Sequence, residues 1–146
     1  MKTYVGIKEI EATLMNRGDY NKYRGWQIPA DENPADEGYL VKYPDGYESW
    51  SPKEVFEDAY REKETNPLAV TALGMVSLDY KERFKAEYDQ LKIRYDKLKH
   101  MVYKWDNGDL DFIPTCPRKT YASRQIAMED YLAVLEYRAH LEKVVI

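Results

Sequence analysis

Histidine and cysteine are nearly missing from this chain, which has two His and one Cys in 146 residues. A single cysteine excludes a disulfide framework, and without paired Cys/His spacing no zinc site can be built. The two histidines, His100 and His140, stand alone in helical segments. There is no glycine-rich phosphate loop, no nucleophile elbow and no HExxH. Cys116, between Pro114 and Pro117, lacks a neighbouring base or cation that would lower its pKa, so it is expected to be a packed structural thiol. No stretch approaches the roughly 20 apolar residues of a membrane span, and the opening MKTYVGIKEIEA lacks the apolar core of a secretory leader. These absences argue against a catalytic residue, a metal, a cofactor and an export route. They predict a soluble intracellular protein that is not an enzyme.

Strong net charge is missing too. The formal charge is -4, from 22 basic and 26 acidic residues, which is wrong for a general duplex nucleic-acid binder. Any anion site must therefore be local. Residues 1–66 hold 9 Lys+Arg and 14 Asp+Glu, whereas 67–146 hold 13 and 12. The texture changes near the same place, from Gly, Pro and short alternating runs to long helical periodicity. The reading is an α+β chain in three parts: a small α+β module over 1–62, a connector over 63–77, and a helical hairpin over 78–146.

What is abundant is tyrosine, with 14 residues. In the first module, Tyr4 to Leu14 alternates loosely and predicts a strand, followed by a turn or short helix over Arg17 to Tyr23. GYLVKYPDGYESW predicts a hairpin around Pro44-Asp45-Gly46. Ser51-Pro52-Lys53-Glu54 then has the pattern of a capping box, with Ser51 as N-cap, opening a helix that runs to about Glu62. Tyr39, Tyr43, Tyr47 and Trp50 fit a core under that helix better than a stacking platform. Residues 63–77 keep no clear phase and contain Pro67 and Gly74, hence a connector.

In the second module Phe84, Tyr88, Leu91, Tyr95, Leu98, Val102 and Trp105 recur at alternating spacings of four and three, a heptad seam. That helix should stop at Asn107-Gly108. A return helix begins near Arg118, with Ile126, Met128, Tyr131, Leu132, Leu135, Ala139 and Leu141 inward, and should pack antiparallel to the first. Two helices alone bury little apolar surface, so the hairpin is expected to oligomerise.

Between Lys81 and Lys104 stand eight basic and four acidic residues, and here an anion would bind. Tyr88 and Tyr95 belong to the seam and flanking lysines suit its solvated edges. Tyr80 and Tyr103 lie off it, and Tyr80, at the helix start, is the better placed to stack on a base. A nucleotide-binding module and an oligomeric structural or protein-interaction adaptor without a nucleotide ligand both fit these residues.

DYKERFKAEYDQLKIRYDKL, a loop with glycine and proline, and RQIAMEDYLAVLEYR together resemble the small two-helix phage proteins of the anti-CBASS cyclic-oligonucleotide sponge family. The second-helix pattern falls on Gln125, Met128, Tyr131, Leu135 and Arg138. RGWQIPADENPADEGYLVKYPDGYESWSPKEVFEDAYR looks like a widespread N-terminal domain of small phage proteins, which supplies no function. The resemblance implies a non-catalytic sink in the host bacterial cytoplasm. Such a sink assembles as a homo-oligomer, typically a hexamer, and withholds cyclic dinucleotides or cyclic trinucleotides from a bacterial immune effector. It also implies that Tyr80 stacks on a purine and that Lys97, or Lys99 one turn away, meets a phosphate. Arg83 and Arg124 would be further anion contacts. The chain departs from the short family form in carrying a whole N-terminal module.

Overall fold

A computed structural model describes all 146 residues, Met1–Ile146. It divides into two compact units, Met1–Glu62 and Lys63–Ile146. The architecture is α+β, with strands confined to the first unit and two long helices to the second.

The first unit is a three-stranded antiparallel sheet of order β1-β2-β3, formed by Glu11–Leu14, Gly38–Lys42 and Glu48–Pro52. α1 (Arg17–Tyr23) follows β1 and α2 (Lys53–Ala59) follows β3. The expected hairpin is present: the Tyr43 N–H donates to the Tyr47 carbonyl at 2.8 Å, and the Gly46 N–H to the Tyr43 carbonyl at 2.9 Å. Three expectations need correction. β1 starts at Glu11 rather than Tyr4, because its partner β2 ends at Lys42, which pairs with Glu11. Ser51 does not cap α2. It pairs with Tyr39 inside the sheet, Pro52 takes the cap position without a side-chain bond, and α2 ends at Ala59 rather than near Glu62. The aromatic hairpin also divides: Tyr39 stacks on Phe56 with centroids 4.1 Å apart, while Tyr47 is exposed.

Arg17 organises the buried side of this unit. Its guanidinium grips Glu32 with two nitrogens and lies 5.0 Å from the Trp50 ring centroid, and the buried Asn21 donates to the same Glu32 carboxylate at 3.0 Å. The Arg17 and Asn21 hydrogen bonds hold the Glu32 pKa down at about 2. A carboxylate with a depressed folded pKa stabilises above its unfolded value and loses that contribution as pH falls. The stability gap between wild type and Glu32→Gln is therefore expected to close between about pH 4.3 and pH 2. Thermal melts of both chains across that range, followed by tryptophan fluorescence, measure it.

The second unit consists of a 3₁₀ turn (Pro67–Val70), α3 (Thr71–Met75), α4 (Tyr80–Asp106) and α5 (Arg118–Glu142). Residues 67–75 are thus helical where a connector was expected, since Pro67 opens the 3₁₀ turn at a position needing no amide donor and Gly74 sits against α4. Asp79 caps α4, accepting from the Lys81 N–H at 2.9 Å. Asn107 closes it, and Gly108 takes the left-handed conformation at φ +77°. At 27 residues α4 is about 40 Å long.

α4 and α5 run antiparallel. Arg118 at the start of α5 forms a fork with Asp106 at the end of α4, at 2.9 and 2.8 Å, while Tyr88 donates to Glu136 at 2.9 Å. The core joins Phe84, Leu91, Tyr95, Leu98 and Val102 to Met128, Leu132, Leu135 and Ala139. Tyr88 and Trp105, the other seam positions, are half-buried. On α5 only part of the expected inner set is inside: Ile126, Tyr131 and Leu141 are exposed. A single partner helix covers one stripe, and Met128, Leu132, Leu135 and Ala139, spaced by four, three and four, fill it. Cys116 is exposed in the α4–α5 loop rather than packed. No helix is long and apolar enough to cross a membrane.

Candidate ligand site

The first turn of α4 and the last turns of α5 meet because the helices are antiparallel, and between them lies an open cleft of about 180 Å³ lined by Tyr80, Arg83, Phe84, Glu87 and Arg138. Tyr80, the first residue of α4, is half exposed. Phe84, one turn on, is buried and forms the floor, with the Arg138 guanidinium 4.4 Å from its ring centroid. Arg138 is steered by Glu142, which accepts from its Nε at 2.6 Å, and that bond raises the Arg138 pKa. Arg83 is held from below: its Nη1 donates to the main-chain carbonyls of Ser77 at 2.6 Å and Leu78 at 2.9 Å.

Glu87 is the acidic member of the lining, and it is engaged by a hydrogen bond from the Tyr131 hydroxyl across the helix pair. That bond, with partial burial, raises the Tyr131 pKa. With Glu87 turned to Tyr131, the cleft combines an accessible aromatic face, two guanidinium groups and an apolar floor. An aromatic face receives a base by stacking, and a guanidinium fork donates two parallel hydrogen bonds to a phosphate or carboxylate.

Of the residues singled out from sequence, Tyr80 and Arg83 share this cleft. Lys97, Lys99 and Arg124 are exposed and outside it. Seventeen residues of α4 separate Tyr80 from Lys97, about 25 Å along the axis, and Lys99 lies farther on, with its Nζ 5.8 Å from the centroid of the buried Tyr95 ring. Arg124, in the second turn of α5, belongs to the same distant end of the hairpin. Arg138 joins the site although sequence reasoning used it only as part of a helix pattern. Its signal was its place three residues after the buried Leu135, one turn further toward the end of α5 that meets Tyr80. Phe84 was read as seam alone.

No curated protein and no solved structure gives a significant match to the chain. One family model does match, that described as Sequestin, over residues 78–141, and Tyr80, Arg83, Phe84, Glu87 and Arg138 all lie within that segment. Residues 78–141 match the Sequestin family, the anti-CBASS cyclic-oligonucleotide sponge family, whose role is non-catalytic sequestration of cyclic oligonucleotide immune signals.

Proposed function

We propose that the C-terminal unit sequesters cyclic dinucleotides or cyclic trinucleotides, in the host bacterial cytoplasm, as part of a phage-encoded counter to cyclic-nucleotide defence. The observation that carries this reading is the joining of Tyr80, Arg83 and Arg138 on one cleft inside the Sequestin segment. A purine stacks on Tyr80, and a phosphate is met by the two arginines. Sequestration needs affinity and stoichiometry and no turnover.

A cleft of about 180 Å³ holds a base or a phosphate but not a whole cyclic dinucleotide. The rest of the ligand is met by a second copy, whose Lys97, Lys99 and Arg124 supply further cationic contacts. The outer side of α5 supports such an assembly, since Ile126, Val134, Tyr137 and Leu141 are each more than half exposed there. A closed homo-oligomer covers this stripe and repeats the site around its axis. The hexamer implied by the family resemblance is one such form.

The test is a thermal-shift and binding panel of cyclic di- and trinucleotides against wild type, Tyr80→Ala and Lys97→Ala, followed by heat denaturation and recovery of the ligand. Bound ligand stabilises by mass action and is expected to be released intact. Loss of one stacking platform, about 1–3 kcal/mol, weakens binding roughly 5- to 150-fold in Tyr80→Ala. An assembled chain that shifts with no member of the panel would point instead to the adaptor reading, with the α5 stripe as its protein-binding face.

A further inference from the structure

The residues that place Tyr80 and Arg83 belong largely to a part of the chain outside 78–141. The Arg83 Nη1 is held by the Ser77 and Leu78 carbonyls. Ser77 itself is fastened on both sides: its hydroxyl donates to the Glu82 carboxylate at 2.7 Å and accepts the Asp79 N–H at 3.1 Å, and its own N–H reaches the Gly74 carbonyl at 3.2 Å. Gly74, in turn, seats α3 on α4. A Cβ at position 74 would stand 2.7 Å from the Ala86 Cβ and 3.3 Å from the Glu82 carbonyl oxygen, closer than the two helices could keep. A five-residue helix has no stability of its own, so α3 exists through this contact.

We propose that the segment from Gly74 to Asp79 is a clasp that presets the Arg83 guanidinium and the Tyr80 ring for the ligand, making Gly74 and Ser77 positioning residues of the binding site. This rests on the cleft reading above and extends the site beyond the segment that matches the family. The physical benefit is entropic. An exposed arginine must give up rotamer freedom to hold an anion. Arg83 is exposed, so burial does not order it. The two carbonyls do, and they occupy one terminal nitrogen while leaving Nε and Nη2 as donors toward the cleft. Tyr80 follows because it is the first helical residue after the Asp79 cap, and the Asp79 N–H is tied to Ser77.

The experiment uses the full chain as wild type, Ser77→Ala, Ser77→Thr, Gly74→Ala and Tyr80→Ala. Two quantities are read: the NMR signal of the Arg83 Nη1 protons, which the two carbonyls hold and which is identified by its loss in Arg83→Lys, and the dissociation constants for cyclic di-AMP and cyclic tri-AMP. The Arg83 signal is expected to be resolved and slowly exchanging in wild type and Ser77→Thr, which keeps the hydroxyl. It should merge with those of freely rotating arginines in Ser77→Ala and Gly74→Ala. Binding should weaken about ten-fold in the same two variants and recover in Ser77→Thr, with helix content by circular dichroism unchanged in Ser77→Ala and lowered by no more than the five residues of α3 in Gly74→Ala. A wild-type Arg83 signal in Ser77→Ala overturns the clasp, whether or not either probe binds. If wild type binds, Tyr80→Ala does not, and Ser77→Ala binds as wild type does, the clasp fails and the cleft reading stands. If wild type binds neither probe, the cleft reading fails for these ligands, and the Arg83 signal alone decides the clasp.

Discussion

Phe84→Ala is expected to destabilise the C-terminal unit by about 4 kcal/mol and to disable the cleft in the same step. Phe84 is 3% exposed, sits in the α4–α5 core and carries the Arg138 guanidinium on its ring face. Truncation loses the transfer energy of a buried aromatic ring and leaves a void beneath the cleft, on the face where α4 packs against α5. Arg138 loses its platform as well, and its bond to Glu142 then draws it toward the α5 terminus. Urea unfolding followed by circular dichroism at the helical band reads the first effect. Phe84→Leu separates the two, because it keeps most of the packing and removes the ring. It should recover most of the stability while leaving Arg138 without its cation–π partner. A Phe84→Ala midpoint within about 1 kcal/mol of wild type would mean that the core is built elsewhere.

Gly38→Ala should be the most damaging small substitution in the N-terminal unit, at about 3 kcal/mol or more. Gly38 is buried in β2, opposite Pro52. A Cβ built there falls 2.4 Å from the Ser51 carbonyl oxygen and 2.4 Å from two atoms of the Trp50 indole. Neither neighbour can yield cheaply. Ser51 is held in the β2–β3 ladder, and the Trp50 indole N–H is anchored to the Met15 carbonyl at 2.8 Å while its ring lies against Arg17. Moving the indole would break that bond and disturb the Arg17–Glu32 pair together. Trp50 emission and the thermal midpoint of the N-terminal unit would report it. Because the clash is with ring and backbone, Gly38→Ala with an unchanged midpoint would show that Trp50 is free to move.

The long helices were legible because their information is local. Alternating spacings of four and three from Phe84 to Trp105 define one face without reference to any partner, and Asn107-Gly108 marks the C-terminal end by backbone chemistry, while the Asp79 cap at the other end emerged only from the structure. α5 was less legible because apolar residues surround it. Periodicity could not choose between Met128, Leu132, Leu135 and Ala139 and the outer set with Ile126 and Leu141, a choice made by how much of α5 one partner helix can cover. Ser51 misled for a related reason: its capping pattern is real in sequence, but pairing with Tyr39 satisfied its backbone first. Gly74 looked like a helix breaker, whereas its missing side chain is what admits α4.

The sequence by itself determined that this chain lacks the familiar motifs of catalysis, that its basic and tyrosine-rich character gathers in one helix, and that this helix is followed by an antiparallel return. It also isolated Tyr80 from the seam tyrosines, because a position's phase on a helix follows from its number alone. Only the tertiary structure decided what Tyr80 stands beside. Arg138 is 58 positions away in sequence and enters the site because antiparallel packing brings the end of α5 to the start of α4, while Lys97, on the same helix as Tyr80, is carried about 25 Å off by the helical rise. A straight helix spreads sequence neighbours along a line, and only a fold returns distant residues to one place.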